Sequence, residues 1–280
     1  MPGKPYWWQW PTILSLDAPA VVLLWQWSVA GTAGATLRWP HRLVLGASVW
    51  LAYAADRWIE GWHLRPESVR TQRHHFYQRH RGVLAVVWLL ITAADVSVAA
   101  TGLNAREFQA GLLLLAPVLA YVLSHQFAHR HHRWRLPKEI CVAVLLAGGV
   151  GLFPAVQVTG GNVAPFAGTL SLFALLCFTN CALISTWEHT VDRAHGQTSL
   201  ALRFTQAAAF SRALPWIVVI LAGVQAGYFT GPARVAAGCA AGSGLLLAGI
   251  DWLERRTHWQ LARVLADAAL LTPLLAAVWR

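Results

Sequence analysis

The sequence predicts an all-α integral membrane protein with about nine transmembrane helices. Three observations support this prediction: an apolar composition, repeated apolar runs of membrane-spanning length, and a basic charge on every second connection between them. Of the 280 residues, 56% are hydrophobic and only 12% are charged, and the mean hydropathy is +0.46. A soluble domain rarely hides so much apolar surface, so the composition indicates a protein surrounded largely by lipid.

The apolar runs have the length that a bilayer demands. A helix needs about 20 mostly apolar residues to cross the hydrocarbon. Polar or Pro/Gly breaks separate nine such runs, at 18–37, 41–60, 82–102, 108–126, 139–157, 165–188, 211–229, 233–250 and 261–279. Little chain remains for a soluble domain, so we expect residues 1–280 to form one transmembrane domain.

The connections alternate in charge. The connection 61–81 carries five arginines, whereas 103–107 carries one. The connections 127–138, 189–210 and 251–260 are also basic, and those between them are short. The positive-inside rule therefore predicts a cytoplasmic N-terminus and an external C-terminus. This topology accounts for most of the net charge of +10, so we expect no nucleic-acid partner. We expect the protein to lie in a bacterial cytoplasmic membrane.

Two pairs of carboxylates end two of the predicted spans. Asp56 and Glu60 lie at the end of the second span, and Glu188 and Asp192 lie at the end of the sixth. A separation of four residues puts both members of a pair on one helix face. The predicted topology puts both pairs on the cytoplasmic side.

Acids at span ends are costly unless they are hydrated, paired or bound to metal. Four facing carboxylates would repel one another, and Mg²⁺ would remove that repulsion while binding substrate phosphates. The alternative is that each acid pairs with its nearest cation, Asp56 or Glu60 with Arg57 and Asp192 with Arg193. The repeated spacing favours a shared site.

These residues resemble the UbiA superfamily of intramembrane prenyltransferases, helical membrane enzymes with nine spans and two Asp-rich motifs. The first family motif is Asn-x-x-x-Asp-x-x-x-Asp, and Ala52-Tyr-Ala-Ala-Asp56-Arg-Trp-Ile-Glu60 is similar to it. Ala52 replaces the usual Asn, and Glu60 replaces an Asp.

The second motif is better preserved. The run 188–203, Glu-His-Thr-Val-Asp-Arg-Ala-His-Gly-Gln-Thr-Ser-Leu-Ala-Leu-Arg, is similar to the family's Asp-x-x-Gly-Asp-x-x-x-Gly-x-x-Thr-Leu-x-x-Arg. The segment Arg135-Leu-Pro-Lys138-Glu resembles the basic stretch before the family's fifth span.

The resemblance implies a fold, a reaction and a set of site residues. The fold would be a UbiA-like helical bundle around a central cavity. The reaction would use Mg²⁺ to bind and ionise an isoprenyl diphosphate, and the carbocation would alkylate an aromatic or lipid acceptor. The implied metal ligands are Asp56, Glu60, Glu188 and Asp192, of which Asp56 and Asp192 are the catalytic acids. The implied diphosphate-binding cations are Arg73, Arg135, Lys138, Arg193 and Arg203.

Two other functions compete with this one. Ala52 favours a catalytically inactive UbiA-like protein that binds a pigment, quinone, lipid or partner helix. His125 and His129, also four residues apart, have the spacing of a zinc or haem site, although a basic loop facing lipid headgroups explains them as well.

Two further acids lie inside predicted spans. For Asp95 and Asp267 we expect a structural hydrogen bond, with acceptor binding or proton removal as the alternative.

Overall fold

The computed structural model describes residues 5–63, 72–127, 137–194, 199–254 and 259–278, and in these ranges the chain is helical with no strand. Short 3-10 helices, Trp7–Gln9 and Gly160–Asn162, precede two of the α-helices. The α-helices are α1 (Trp10–Ile13), α2 (Asp17–Ala33), α3 (Trp39–His63), α4 (Gln72–Arg79), α5 (Arg81–Gly102), α6 (Ala105–Phe127), α7 (Lys138–Gln157), α8 (Val163–Trp187), α9 (His189–Ala194), α10 (Leu200–Arg203), α11 (Ala207–Tyr228), α12 (Gly231–Glu254), α13 (Trp259–Ala269) and α14 (Pro273–Val278).

The predicted apolar runs coincide with these helices. Each run corresponds to one helix, except that the last is divided between α13 and α14. Six helices in the described ranges are long and apolar enough to cross a membrane. A seventh crossing is added if the segments Trp7–Ile13 and Asp17–Ala33, bent by 74° at their junction, form one span. The all-α membrane fold is confirmed, while the number of nine spans and the orientation of the termini stay predictions.

The outer surface of the bundle is apolar, as expected for a protein surrounded by lipid. Most side chains of α5 and α6 lie on the outside, and large apolar ones are highly exposed: Leu90 is 65% exposed and Leu113 is 76% exposed. A soluble monomer rarely exposes contiguous apolar surface of this kind. These two helices therefore present a hydrocarbon-facing surface.

The core lies between α2, α7, α8 and α12. At its centre Trp25 is fully buried and its ring stacks on Phe173, with ring centroids 5.1 Å apart. Its indole Nε1–H donates to the Leu270 carbonyl at 2.9 Å. That carbonyl is available because Leu270 lies in the turn between α13 and α14, where the helical hydrogen bonds are interrupted.

Glycine permits a close contact between α11 and α12. A Cβ atom on Gly244 of α12 would approach the Pro215 carbonyl oxygen and a Val219 methyl group of α11 to 3.0 Å each. Small residues let transmembrane helices pack at short backbone distances.

Contacts between connections define the two ends of the bundle. At one end, here called the outer end, Thr36 N–H donates to Gln157 at 3.1 Å and Asn162 donates to the Ala33 carbonyl at 3.3 Å. The opposite end, here called the inner end, carries the end of α8 and the start of α7. The predicted topology assigns the inner end to the cytoplasm.

The N-terminal segment lies across the inner end. The Arg57 guanidinium of α3 donates to the Thr12 carbonyl, and the hydroxyls of Ser15 and Tyr77 are 2.9 Å apart. These bonds join α1 and the turn after it to α3 and α4 beside the predicted site.

Candidate functional site

Glu188 and Asp192 stand together at the inner end, one helical turn apart. Glu188 is the C-cap of α8, where its N–H donates to the Ile184 carbonyl at 2.8 Å, and Asp192 N–H then donates to the Glu188 carbonyl at 2.8 Å. The helical path therefore continues into α9 and keeps the two side chains on one face. Both residues are 4% exposed. Two buried carboxylates in a membrane protein require counter-ions or ligands.

Glu188 is held by two arginines from distant parts of the chain. Arg263 of α13 donates to its Oε1, and Arg73 Nη2 of α4 lies 3.5 Å from its Oε2. Burial by itself raises the pKa of Glu188, but the charges of Arg263 and Arg73 outweigh burial and lower it to about 2. Glu188 is therefore ionised at neutral pH.

Asp192 is held more loosely. Lys138 Nζ of α7 lies 3.7 Å from Asp192 Oδ2, beyond hydrogen-bond distance. Within the described ranges this buried oxygen accepts no hydrogen bond. Lys138 also lies near enough to Glu188 to lower the pKa of that carboxyl. The site thus contains a buried acid with one oxygen available for a ligand.

Two residues of the site were missed by the sequence analysis. Glu139 is 1% exposed, and its Oε1 accepts the Leu200 N–H at 2.9 Å, which caps α10 from another helix. Arg263 lies in the last apolar run, one turn before Asp267. Because ionisable groups inside spans are rarely tolerated without a role, their positions alone would have marked both residues as candidates.

Other buried polar atoms near these acids also have no hydrogen-bond partner among the described residues. Among them are Arg263 Nε, Glu139 Oε2 and Ser199 Oγ. The inner end therefore offers a buried donor as well as buried acceptors, which is unusual because most buried polar atoms are paired.

The first acidic pair is described only in part. Asp56 is half-buried in α3 and lies within Coulombic range of Tyr121 on α6. Glu60 belongs to α3, but its side chain is outside the described residues. Arg73, which follows α3, reaches Glu188, so the two predicted motifs end at the same end of the bundle. A shared metal ion between all four acids stays a prediction.

The predicted cations occupy different surroundings. Arg73 and Lys138 contact the acids, whereas Arg193 is exposed and lies 3.4 Å from His189 Nε2. Arg203 is partly buried at the end of α10. Arg135 and His129 lie outside the described residues, as does the side chain of His125.

The two acids predicted inside spans accept hydrogen bonds. Asp95 accepts the Ser48 hydroxyl at 2.8 Å, and Asp267 accepts Asn180 Nδ2–H at 3.0 Å. A structural hydrogen bond was the expectation for both.

The site residues fit Mg²⁺ unequally. In the described ranges no group of three or more His, Cys, Asp or Glu side chains could hold a metal ion. The available oxygen of Asp192 suits a hard cation, which binds carboxylate oxygens. Glu188 does not fit, because a guanidinium group contacts each of its oxygens.

The fold and the charged inner end define a multi-pass helical membrane protein with a buried ionic site. No family model and no curated protein matches the sequence. The chain is similar to a solved apo structure of a UbiA homolog from Aeropyrum pernix K1, with a TM-score of 0.59 and 16% identity. The match covers 95% of this chain and 98% of that one. The protein therefore has a UbiA-like fold, as the resemblance of its two motifs implied.

Proposed function

We propose that the protein is an intramembrane prenyltransferase that moves an isoprenyl group from its diphosphate to a hydrophobic aromatic or lipid acceptor with Mg²⁺. The observation that carries the proposal is the buried inner-end cluster, where Asp192 Oδ2 and Arg263 Nε lack hydrogen-bond partners in the described part of the chain. A diphosphate accompanied by a divalent cation brings both an acceptor and a positive charge to such a cluster. The UbiA-like fold supports the same reaction class.

The cations would stabilise the charge that grows on the leaving group. Ionisation breaks the bond between the prenyl carbon and oxygen, and the electron pair goes to the diphosphate. Arg73, Arg263 and Lys138 are already arranged around the acids, so little reorganisation would be needed as this charge develops. Mg²⁺, when bound, would neutralise part of the same charge. Asp192, whose Oδ2 accepts no hydrogen bond from the described residues, is the acid best suited to hold it, and Asp56 is a second ligand that the motifs imply.

The prenyl carbocation left by ionisation would react with the acceptor. The acceptor's electron pair forms the new carbon bond, and the acceptor then loses a proton. A site away from bulk water protects this cation from hydrolysis. The burial of Glu188 and Asp192 at the end of the bundle suits that requirement.

Thermal stabilisation by the donor tests this proposal without knowledge of the acceptor. Purified full-length protein in detergent is heated with isoprenyl diphosphates of several chain lengths, in Mg²⁺ or in EDTA. We expect at least one diphosphate to raise the melting temperature in Mg²⁺, because a ligand that binds only the folded state stabilises it.

The matched control is the corresponding prenyl alcohol, which has the same apolar chain without the charge. We expect the alcohol to give a much smaller shift. A protein that binds no isoprenyl diphosphate, with or without Mg²⁺, would refute the proposal and leave the inactive UbiA-like protein as the better interpretation.

A further inference from the structure

We infer that Glu188 is a positioning residue that holds Arg263 and Arg73 for diphosphate binding, and that it is not a metal ligand. The inference rests on the proposed function and changes the role that sequence similarity gives to Glu188. It also adds Arg263, which lies outside both acidic motifs, to the residues that contact the substrate.

Both oxygens of the Glu188 carboxylate already have cationic partners. Its side chain is 5% exposed, and each oxygen faces a guanidinium group, Arg263 at Oε1 and Arg73 at Oε2. A divalent cation bound to these oxygens would lie beside two buried positive charges. Repulsion of that kind is strong where water is excluded, so a metal would favour an acid with fewer cationic neighbours.

Asp192 is that acid. Its side chain is equally buried at 5% exposure, but its ion-pair partner, Lys138, lies 3.7 Å away. Its Oδ2 accepts no hydrogen bond from the described residues. Two acids separated by one helical turn thus have different partners, which separates their roles.

Arg263 has a second N–H edge that Glu188 does not use. A guanidinium carries five N–H donors in a rigid fork, so one edge can remain on a carboxylate while another binds a ligand. Arg263 Nη1 is on Glu188, and its Nε–H is buried without a partner in the described ranges. Burying an unsatisfied donor is costly, and a phosphate oxygen is an acceptor that satisfies it.

Asp267 and Asp17 also lie within Coulombic range of Arg263. The guanidinium therefore lies near three acids, and its contact with Glu188 restricts its orientation. Such fixed positioning is what a phosphate-binding arginine requires.

Metal binding and diphosphate binding separate the two roles. The first measurement titrates Mn²⁺, followed by electron paramagnetic resonance, into full-length wild-type protein, Asp192→Asn and Glu188→Gln. We expect Asp192→Asn to weaken Mn²⁺ binding at least about tenfold, since a ligand is lost, and Glu188→Gln to change it by less than about twofold. Equal losses in the two variants would overturn the inference.

The second measurement titrates geranylgeranyl diphosphate in Mg²⁺ into wild type, Arg263→Gln, Arg263→Lys and Glu188→Gln. We expect Arg263→Gln and Glu188→Gln to weaken binding about tenfold or more, and Arg263→Lys to weaken it less, because lysine keeps the charge and loses the fork. Wild-type affinity in Arg263→Gln would overturn the inference.

Glu188→Gln can also fail to fold, because it leaves a buried guanidinium without a counter-ion. The double variant Glu188→Gln with Arg263→Gln removes both charges, and we expect it to recover much of the lost melting temperature. It should bind Mn²⁺ like wild type and bind the diphosphate weakly. Loss of Mn²⁺ binding in the folded double variant would contradict the positioning role.

The outcomes also separate this inference from the proposed function. If wild type binds no isoprenyl diphosphate, both fail. If wild type binds the diphosphate with Mg²⁺ while Glu188→Gln and Asp192→Asn lose Mn²⁺ equally, only this inference fails.

Discussion

The two ends of the molecule both bury ionised groups, but they satisfy them differently. At the outer end Glu107 is 3% exposed, and Arg38 Nη2 contacts its Oε2 at 2.7 Å. His41 Nε2 lies 3.1 Å from its Oε1, and Asn104 N–H donates to its Oε2 at 3.0 Å. The cluster joins the connection before α3 to the connection before α6, and both oxygens of Glu107 are engaged.

At the inner end the partners are incomplete. Asp192 Oδ2, Glu139 Oε2 and Arg263 Nε are buried without hydrogen bonds from the described residues. The contrast teaches that a buried charge in a membrane protein does not by itself mark a functional site. Unsatisfied donors and acceptors, concentrated at one end, are the better criterion, because an unpaired buried polar group costs stability and persists where a ligand uses it.

The largest expected effect is on turnover at the inner end. Asp192→Asn should lower prenyl transfer by about 10²- to 10³-fold, the size of loss seen when one electrostatic contact to a transition state is removed. Release of diphosphate from a prenyl donor, with an extract of membrane lipids as the acceptor source, measures it. Asp95→Asn is the matched control, because it also neutralises a buried acid but can keep its hydrogen bond to Ser48. An unchanged rate in Asp192→Asn would remove Asp192 from the mechanism.

The second prediction concerns the outer end. Glu107→Ala should lower the free energy of unfolding by about 1–3 kcal/mol, because it removes several hydrogen bonds around a buried carboxylate. The loss stays moderate because the Arg38 side chain is 51% exposed and can turn to water. Unfolding in a denaturing detergent measures the change. Affinity for the isoprenyl diphosphate should be unaffected, and a large loss of affinity would show that the outer end is also functional.

The third prediction uses pH. The pKa of Glu188 is lowered from 4.5 to about 2 by Arg263 and Arg73 in spite of burial, so its ion pairs stabilise the fold fully above pH 4.5. That stabilisation is lost as pH falls from about 4.5 towards about 2. Over this range the unfolded state binds a proton at Glu188 and the folded state does not, so protonation favours unfolding. The melting temperature of wild type should therefore fall more steeply over this range than that of the double variant. Parallel curves would contradict the assignment of the ion pairs.

The smallest expected effect is at Arg193. This residue belongs to the cations implied by the second motif, but it is exposed and its contact is His189. Arg193→Gln should therefore change diphosphate affinity by less than about threefold, as exposed charges contribute little. Isothermal titration beside Arg263→Gln checks the ranking. A loss as large as that of Arg263→Gln would move the binding site towards α9.

The sequence analysis predicted the helices well and the site in part. Run lengths and breaks located the helices because bilayer thickness and backbone hydrogen bonding act on each segment separately. The spacing of Glu188 and Asp192 put them on one face for the same local reason. Ala52 and Glu60 could be recognised as departures from a motif, but their consequences could not be read from the motif alone.

The spacing of the acids also suggested a cluster of four carboxylates bound to a metal ion. In the structure, two arginines contact one of those acids, Glu188. Arg263 lies 75 residues from Glu188 and Arg73 lies 115 residues away. No local pattern records such a pairing.

The sequence by itself determined that this protein is a helical membrane protein, which segments are its helices and where its acids recur. Those properties follow from hydropathy and helical periodicity, which depend on neighbouring residues and solvent. Only the tertiary structure decided which acid meets which cation, because α4, α7, α8 and α13 come together through packing across the whole chain. This pairing explains why both oxygens of Glu107 have partners, whereas Oδ2 of Asp192 accepts no hydrogen bond from the described residues.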